Sequence, residues 1–438
     1  MSISLLTVLL FFSILIIFAV GMPVGFGLGA VAMIFGLFTW GTKCFHLIPT
    51  TALSTISSFI LLAIPIFLFM GQILHRSGLG EAMFHAMHVL AGRIRGGLAM
   101  GVIIVCSIMG AMVGIIGAGI MTAGAVAIPP MLKRGYNRHL ALGAVMAGGG
   151  MGILIPPSIP MILFSSCTNT SIGKMFAAGI IPGLIMASSF IVYIAIRCFI
   201  NPDMGPPLPK EEGGGIKDKI IAVRDSVLAF TLIFMVLGTI LFGIATPTEA
   251  AAIGVVGAVI ITAIYRRFSF NVLKVSSIEG MKLTGVVVWI LLGATVFSNF
   301  HMLMGAGSLL THVTDKLNLG PWGVIIFMQL SMLALGCIMD ELIIVVICAP
   351  LYTPIAVSMG FDPIWFGILM ILNMEIAIQT PPYGFALFYL KGVAPADITM
   401  FDIYKSITPF LLIKLFVLLL CMTFPEIVLW LPNLLFDR

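Results

Sequence analysis

Hydrophobic positions in this chain come as long unbroken runs with short polar punctuation between them. Runs near the ~20 residues needed to cross a bilayer core of about 30 Å lie near 3–20, 24–40, 54–74, 138–167, 176–199, 225–245, 248–265, 283–304, 363–390 and 406–424. Each predicts a membrane helix. Two further stretches, 97–130 and 320–357, are too long for one crossing and are interrupted midway, at Gly114–Gly119 and near Gly336–Glu341. A run that enters, turns at mid-depth and returns is a re-entrant hairpin, tolerated only where its tip is covered by protein or lines a cavity.

Charge orients these elements. From Ala82 to Pro202 there is no acidic residue, while Arg93, Arg95, Lys133, Arg134 and Arg138 flank the first interrupted run on both sides. Basic residues mark the cytoplasmic face, so the first hairpin is expected to open inward. The second, flanked by Asp315, Lys316 and Asp362, is expected to open outward. Residues 200–224, with their Pro/Gly clusters and Lys210, Lys217, Lys219 and Arg224, read as a cytoplasmic linker.

The halves repeat. Adding 225 to a residue number takes Pro129 to Pro354, Gly135 to Gly360, Tyr136 to Phe361, Pro156 to Pro381 and Pro157 to Pro382. With hairpins opening to opposite sides the repeat is inverted, an architecture of secondary transporters whose site lies at mid-membrane between broken helices. The expected fold is therefore an all-α polytopic membrane protein: an inverted structural repeat with two re-entrant helical hairpins and two broken helices. Its expected parts are N-terminal scaffold helices (1–96), a first repeat (97–199), the linker (200–224), scaffold or arm helices (225–319), a second repeat (320–424) and a C-terminal tail (425–438).

Composition agrees and excludes other classes. Of 438 residues 60% are hydrophobic and 9% charged, far from the ~25% charge of soluble domains. A net charge of +5 spread over the whole chain forms no basic groove for nucleic acid. The seven cysteines are scattered in apolar runs, with no metal-ligand spacing. No phosphate loop is present, and no spaced pair of intramembrane acids supports a lipid-transferase reading. The chain is read as a non-enzyme with no cofactor.

Candidate chemistry falls at the interruptions. A Pro-Pro pair removes N–H donors and frees carbonyls, which a cation can satisfy. Gly148–Gly150 lets another backbone approach closely. One ion site is expected from Gly114, Gly117, Gly119 and Thr122 with Gly149 and Pro156, the other from Gly336 and Asp340 with Gln379 and Thr380. An anionic substrate is expected between them, near Gly150, Ser158, Asn169, Glu375 and Pro382, held by half-helix N–H groups and hydroxyls; Glu375 reads equally as a polar bond between helices. Glu249, after Thr246-Pro247-Thr248, reads as a helix cap, Lys414 as a snorkelling lysine and His301 as structural.

The residues Ile128-Pro129-Pro130-Met131-Leu132-Lys133-Arg134-Gly135-Tyr136, Gly148 to Ser158, Thr246 to Ala252, Asn373-Met374-Glu375 through Thr380-Pro381-Pro382-Tyr383-Gly384, and Leu429-Trp430-Leu431-Pro432 resemble the large membrane subunit of tripartite ATP-independent periplasmic (TRAP) transporters, the DctM-like family. The resemblance spans nearly the whole chain. It implies an elevator-type importer in the bacterial inner (cytoplasmic) membrane, with Na⁺ as coupling ion. It also implies a periplasmic substrate-binding protein that delivers an organic acid anion (carboxylate or sulfonate) and a small four-helix, DctQ-like membrane subunit. One departure stands out. Many relatives carry Gly-Ser-Ser at the first hairpin tip, where this chain reads Val113-Gly114-Ile115-Ile116-Gly117. Hydroxyl ligation there is unavailable, leaving carbonyls or Thr122. A stand-alone carrier of the wider hairpin-containing class would share the repeat, and a passive channel would not need it.

Overall fold

The computed structural model describes residues 3–91, 94–114, 116–207, 216–305 and 320–436, and among them every ordered element is a helix. In chain order these begin with α1 (Ile3–Ala19), α2 (Val24–Trp40), α3 (Leu47–Ile56), α4 (Ala63–Arg76) and α5 (Leu79–Ala91). The next group is α6 (Gly97–Val113), α7 (Ile116–Lys133), α8 (Arg138–Gly150), α9 (Ile159–Thr168) and α10 (Ile172–Ile200). Then come α11 (Ile216–Leu241), α12 (Pro247–Ile264) and α13 (Phe270–Leu303). The second group is α14 (Pro321–Gly336), α15 (Glu341–Ser358), α16 (Pro363–Ala377), α17 (Phe385–Val393) and α18 (Met400–Thr423), followed by α19 (Glu426–Phe436). Eight stretches among the described residues are long and apolar enough to cross a membrane.

The 225-residue offset governs more than five matched residues. It takes both ends of α7 onto both ends of α15, Ile116 to Glu341 and Lys133 to Ser358. It also takes the cap of α8, Asn137, whose side chain accepts from His139 N at 2.9 Å, onto the cap of α16, Asp362, which accepts from Ile364 N at 2.7 Å. Each cap satisfies N–H groups that the first helical turn leaves open. The two groups then pack reciprocally: α7 lies on α17 as α15 lies on α9, and α8 lies on α18 as α16 lies on α10. The helices that lead into the breaks, α8 and α16, are buried along nearly their whole length, from Leu140 to Gly150 and from Ile364 to Ala377. They form the centre of the molecule. With α9 only 10 residues long, or about 15 Å, neither α8 nor α9 alone spans a bilayer.

Around this centre, α13 lies along α2 and α4, and α12 along α4. Gly25 meets Trp289 so closely that a Cβ would overlap the Trp289 carbonyl. Small residues let backbones approach in this way, and dispersion then holds the helices together. Large apolar side chains such as Leu184, Phe199, Phe234 and Phe416 stay exposed, as lipid contact requires.

Several boundaries differ from the sequence expectation. The first hairpin turns within one or two residues of Gly114, not over Gly114–Gly119: Gly114, at φ +68°, closes α6, and α7 resumes at Ile116. A single left-handed glycine suffices to end a helix, so Gly117 and Gly119 are helical. Helix α11 begins inside the expected linker, while residues 208–215, like Arg93, Asp315 and Lys316, lie outside the described residues. The 425–438 tail is largely the helix α19, laid on α10 with Phe436 against Gly173.

Candidate functional site

At the first break, backbone meets backbone. A Cβ on Gly149 would sit 2.5 Å from Ile120 Cγ1 and 2.9 Å from its Cα, and one on Gly119 would sit 3.3 Å from the Gly149 carbonyl oxygen. Farther toward the tip, a Cβ on Gly110 would lie 2.7 Å from Gly152 Cα, and one on Gly114 2.9 Å from the Pro157 carbonyl oxygen. The hairpin is thus seated on the interrupted helix, and Gly114, Gly119 and Gly149 come together as their spacing implied. Ser158 closes the gap locally. Its hydroxyl donates to the Ile153 carbonyl at 2.5 Å, and the side chain caps α9. Pro156 is buried beside it, and its bond to Pro157 is cis, as is Pro381–Pro382. Two of the grouped residues point elsewhere. Gly117 faces the Tyr389 ring of α17, with 3.0 Å for a Cβ, and Thr122 Oγ1 lies 3.2 Å from His75 Nδ1 on α4.

At the second break, side chains do more. Gly336 is packed so tightly on Ala377 that a Cβ would overlap the alanine methyl. Asp340 caps α15, accepting from Leu342 N at 3.0 Å, and the adjacent Glu341 is 7% exposed. Thr380 Oγ1 donates to the Ile376 carbonyl at 2.7 Å, and the exposed Pro382 offers its carbonyl to the Tyr404 hydroxyl at 2.7 Å. Asn373 Nδ2 donates to Gln329 Oε1 at 2.7 Å, tying α16 to α14.

Between the two breaks lies a polar junction. Gln379 Nε2 donates to the Met146 carbonyl of α8 at 3.1 Å, and Gln379 Oε1 accepts from Lys414 Nζ of α18 at 2.7 Å. Lys414 Nζ is also 2.9 Å from Glu375 Oε1, and both side chains are fully buried. Glu375 Oε2 has no hydrogen-bond partner among the described residues. Gly150 completes the junction: a Cβ there would collide with Gln379 Nε2 and lie 3.1 Å from Lys414 Nζ.

Glu375 and Gly150, assigned from sequence to the substrate, and Gln379, assigned to the second ion site, are therefore one cluster, with protein atoms as their neighbours. Asn169 is not part of it. It ends α9 in an exposed left-handed turn at φ 54°. Lys414 corrects the snorkelling reading. It stands nine residues from the nearer end of α18, about 14 Å at 1.5 Å per residue, too far for a lysine stem to carry its charge out. That count was available in the sequence; the partners Glu375 and Gln379 were not. Glu249, by contrast, is the expected cap, its carboxylate accepting from Thr246 N at 2.8 Å.

Comparison with known proteins places the whole chain in context. Residues 11–427 match the family model of the tripartite ATP-independent periplasmic transporter, DctM component. The chain is 31% identical over 448 aligned positions to the C4-dicarboxylate TRAP transporter large permease protein DctM of Vibrio cholerae, covering 98% of this chain and 97% of that one. It is 30% identical to the sialic acid TRAP transporter large permease protein SiaM of the same organism, over 94% of this chain and 95% of that one. Among solved structures it resembles the YdaH transporter of Alcanivorax borkumensis with a TM-score of 0.63 at 14% identity, covering 97% of this chain and 99% of that one, a likeness of fold.

Proposed function

Since the chain belongs to the DctM component family of tripartite ATP-independent periplasmic transporters, we propose that it is the subunit through which a small organic acid anion, a carboxylate or sulfonate, is taken up across the bacterial inner membrane on a Na⁺ gradient. A periplasmic binding protein delivers the anion, and a small four-helix membrane subunit braces the scaffold. The relatives named for C4-dicarboxylates and sialic acid share a carboxylate as the common chemistry, which supports the substrate class.

The observation that carries the reading is the reciprocal seating of two hairpins and two interrupted helices at one sequence offset. Helix C-termini at the breaks present carbonyls toward a cation, and the N-termini of α9 and α17 present N–H groups toward an anion. In this reading α6–α10 and α14–α18 form an inverted repeat that moves against α1–α5 and α11–α13 as an elevator. Coupling Na⁺ travels at Gly114 and Gly119 with Gly149–Pro156, and at Gly336–Asp340 with Thr380 and the main chain of Gln379, and the substrate travels between them.

The test is uptake into proteoliposomes holding this chain and its small subunit, with labelled carboxylates and sulfonates. Uptake requiring both an inward Na⁺ gradient and substrate-loaded binding protein supports the reading. Uptake of free substrate with Na⁺ alone replaces it by a stand-alone carrier. Undiminished uptake after bulky substitution at Gly119, which faces the Gly149 carbonyl, and at Pro156 refutes the ion-site placement.

A further inference from the structure

Helix α8 ends at Gly150 and α16 at Ala377, and Gln379, two residues past the end of α16, reaches the last turns of α8. The C-terminal end of each helix dipole carries partial negative charge. Glu375 adds a full carboxylate at the same point, with no exposure to solvent. Such a constellation calls for a cation, because an uncompensated charge in a bilayer interior is costly. The cation present is the Lys414 ammonium, held by Glu375 Oε1 at 2.9 Å and Gln379 Oε1 at 2.7 Å, while the other end of the Gln379 amide holds the Met146 carbonyl. Gly150 makes room for this arrangement: a side chain there would collide with the Gln379 amide that holds the ammonium and would lie 3.1 Å from the ammonium itself.

We infer that Lys414 is a tethered cation filling a monovalent-cation position between the two interrupted helices, so that no solution ion binds there unless the lysine is removed. The position is made of one carboxylate oxygen and one amide oxygen, a hard, singly charged oxygen set suited to Na⁺, K⁺ or a small alkylammonium. A lysine serves because its four-carbon stem from the middle of α18 delivers a compact charge. The inference goes beyond the transport reading and does not require that Na⁺ be the coupling ion. An ordinary structural ion pair would behave differently, since a well-packed neutral replacement would do as well and no added cation would matter.

Thermal unfolding of the purified full-length chain separates the two. It would be followed by tryptophan fluorescence in NaCl, KCl or methyl- to butylammonium chloride at constant ionic strength. The wild type sets the baseline for any other cation site. Lys414→Ala should lose about 5 °C or more in Tm, and at least half of that should return, saturably, with one of these cations beyond the wild-type increment. The double variant E375Q/K414M, which lacks the carboxylate and fills the space, should show only the wild-type increment. The inference is overturned if Lys414→Ala gains no more than the wild type from every cation, or if E375Q/K414M gains as much as Lys414→Ala. Lys414→Asn, which keeps an N–H for Gln379, is read in the same way should the alanine variant not purify. Failure of both to fold in every cation also counts against it, because a cation from solution should then restore the fold.

Discussion

The two breaks share a backbone and differ in chemistry. At the offset of 225, Gly149 corresponds to Met374, Gly150 to Glu375, Leu154 to Gln379 and Ser189 to Lys414. The first break is therefore a contact between main chains, lined by glycine and leucine, and the second carries a carboxylate, an amide and an ammonium. The charged set does not stay in its own half. Gln379 reaches the Met146 carbonyl, and its amide, with Lys414 close behind, takes the space Gly150 leaves open. The difference teaches that repeat symmetry places atoms in pairs of equivalent positions, while function can be divided unequally between them: one side supplies the clearance and the other the charge.

The sharpest way to break this comparison is Lys414→Met. It leaves Glu375 buried without its ion pair, and should destabilise the chain by about 3–5 kcal/mol. Adding Glu375→Gln should recover most of that loss in a double-mutant cycle of Tm values. Equal losses in the single and double variants would mean that the charge pair is not the relevant unit.

Next in size is Gly149→Ala. The new methyl must displace Ile120 at its backbone as well as its side chain, a cost of about 1–3 kcal/mol by the usual scale of overpacking, with a fall in uptake measured in proteoliposomes. At the equivalent position the second half already carries the fully buried Met374, so a bulky side chain is barred only on the glycine side.

Gln379→Leu would give the second break the residue of the first. It strips the Met146 carbonyl and the Lys414 ammonium of one partner each, so a loss of about 1–3 kcal/mol is expected, read as a lower Tm and faster hydrogen exchange at α8. The smallest effect should come from Ser189→Ala, at the equivalent of Lys414. Its hydroxyl donates only within its own helix, to Ile185 at 2.8 Å, and the change should stay within about 0.5 kcal/mol. A larger loss there would show that the first half carries a polar junction of its own.

Much of this was legible in the chain. Helix α7 and its counterpart α15, the breaks before Pro156 and Pro381, and the approach of Gly114 and Gly119 to the first break follow from local rules: runs of apolar residues, prolines without N–H groups, glycines without side chains. The turn at Gly114 was read too wide because several neighbouring glycines look equally able to end a helix, and which one adopts positive φ depends on what the hairpin tip rests on. Thr122 was grouped with the tip by proximity in sequence, yet helical geometry turns it toward His75.

The solvent, the helices and the repeat are legible in the residues alone, since lipid demands long apolar runs and satisfied backbones wherever the chain goes. Which polar groups share a site is set by how the helices pack. Glu375, Gln379, Lys414, Met146 and Gly150 come from α16, the turn that follows it, α18 and α8, and so from both halves, and no periodicity encodes their meeting. The physical reason is that a buried charge is specified by whatever lies within about 3 Å of it, and those neighbours are set by how the two repeats pack on each other.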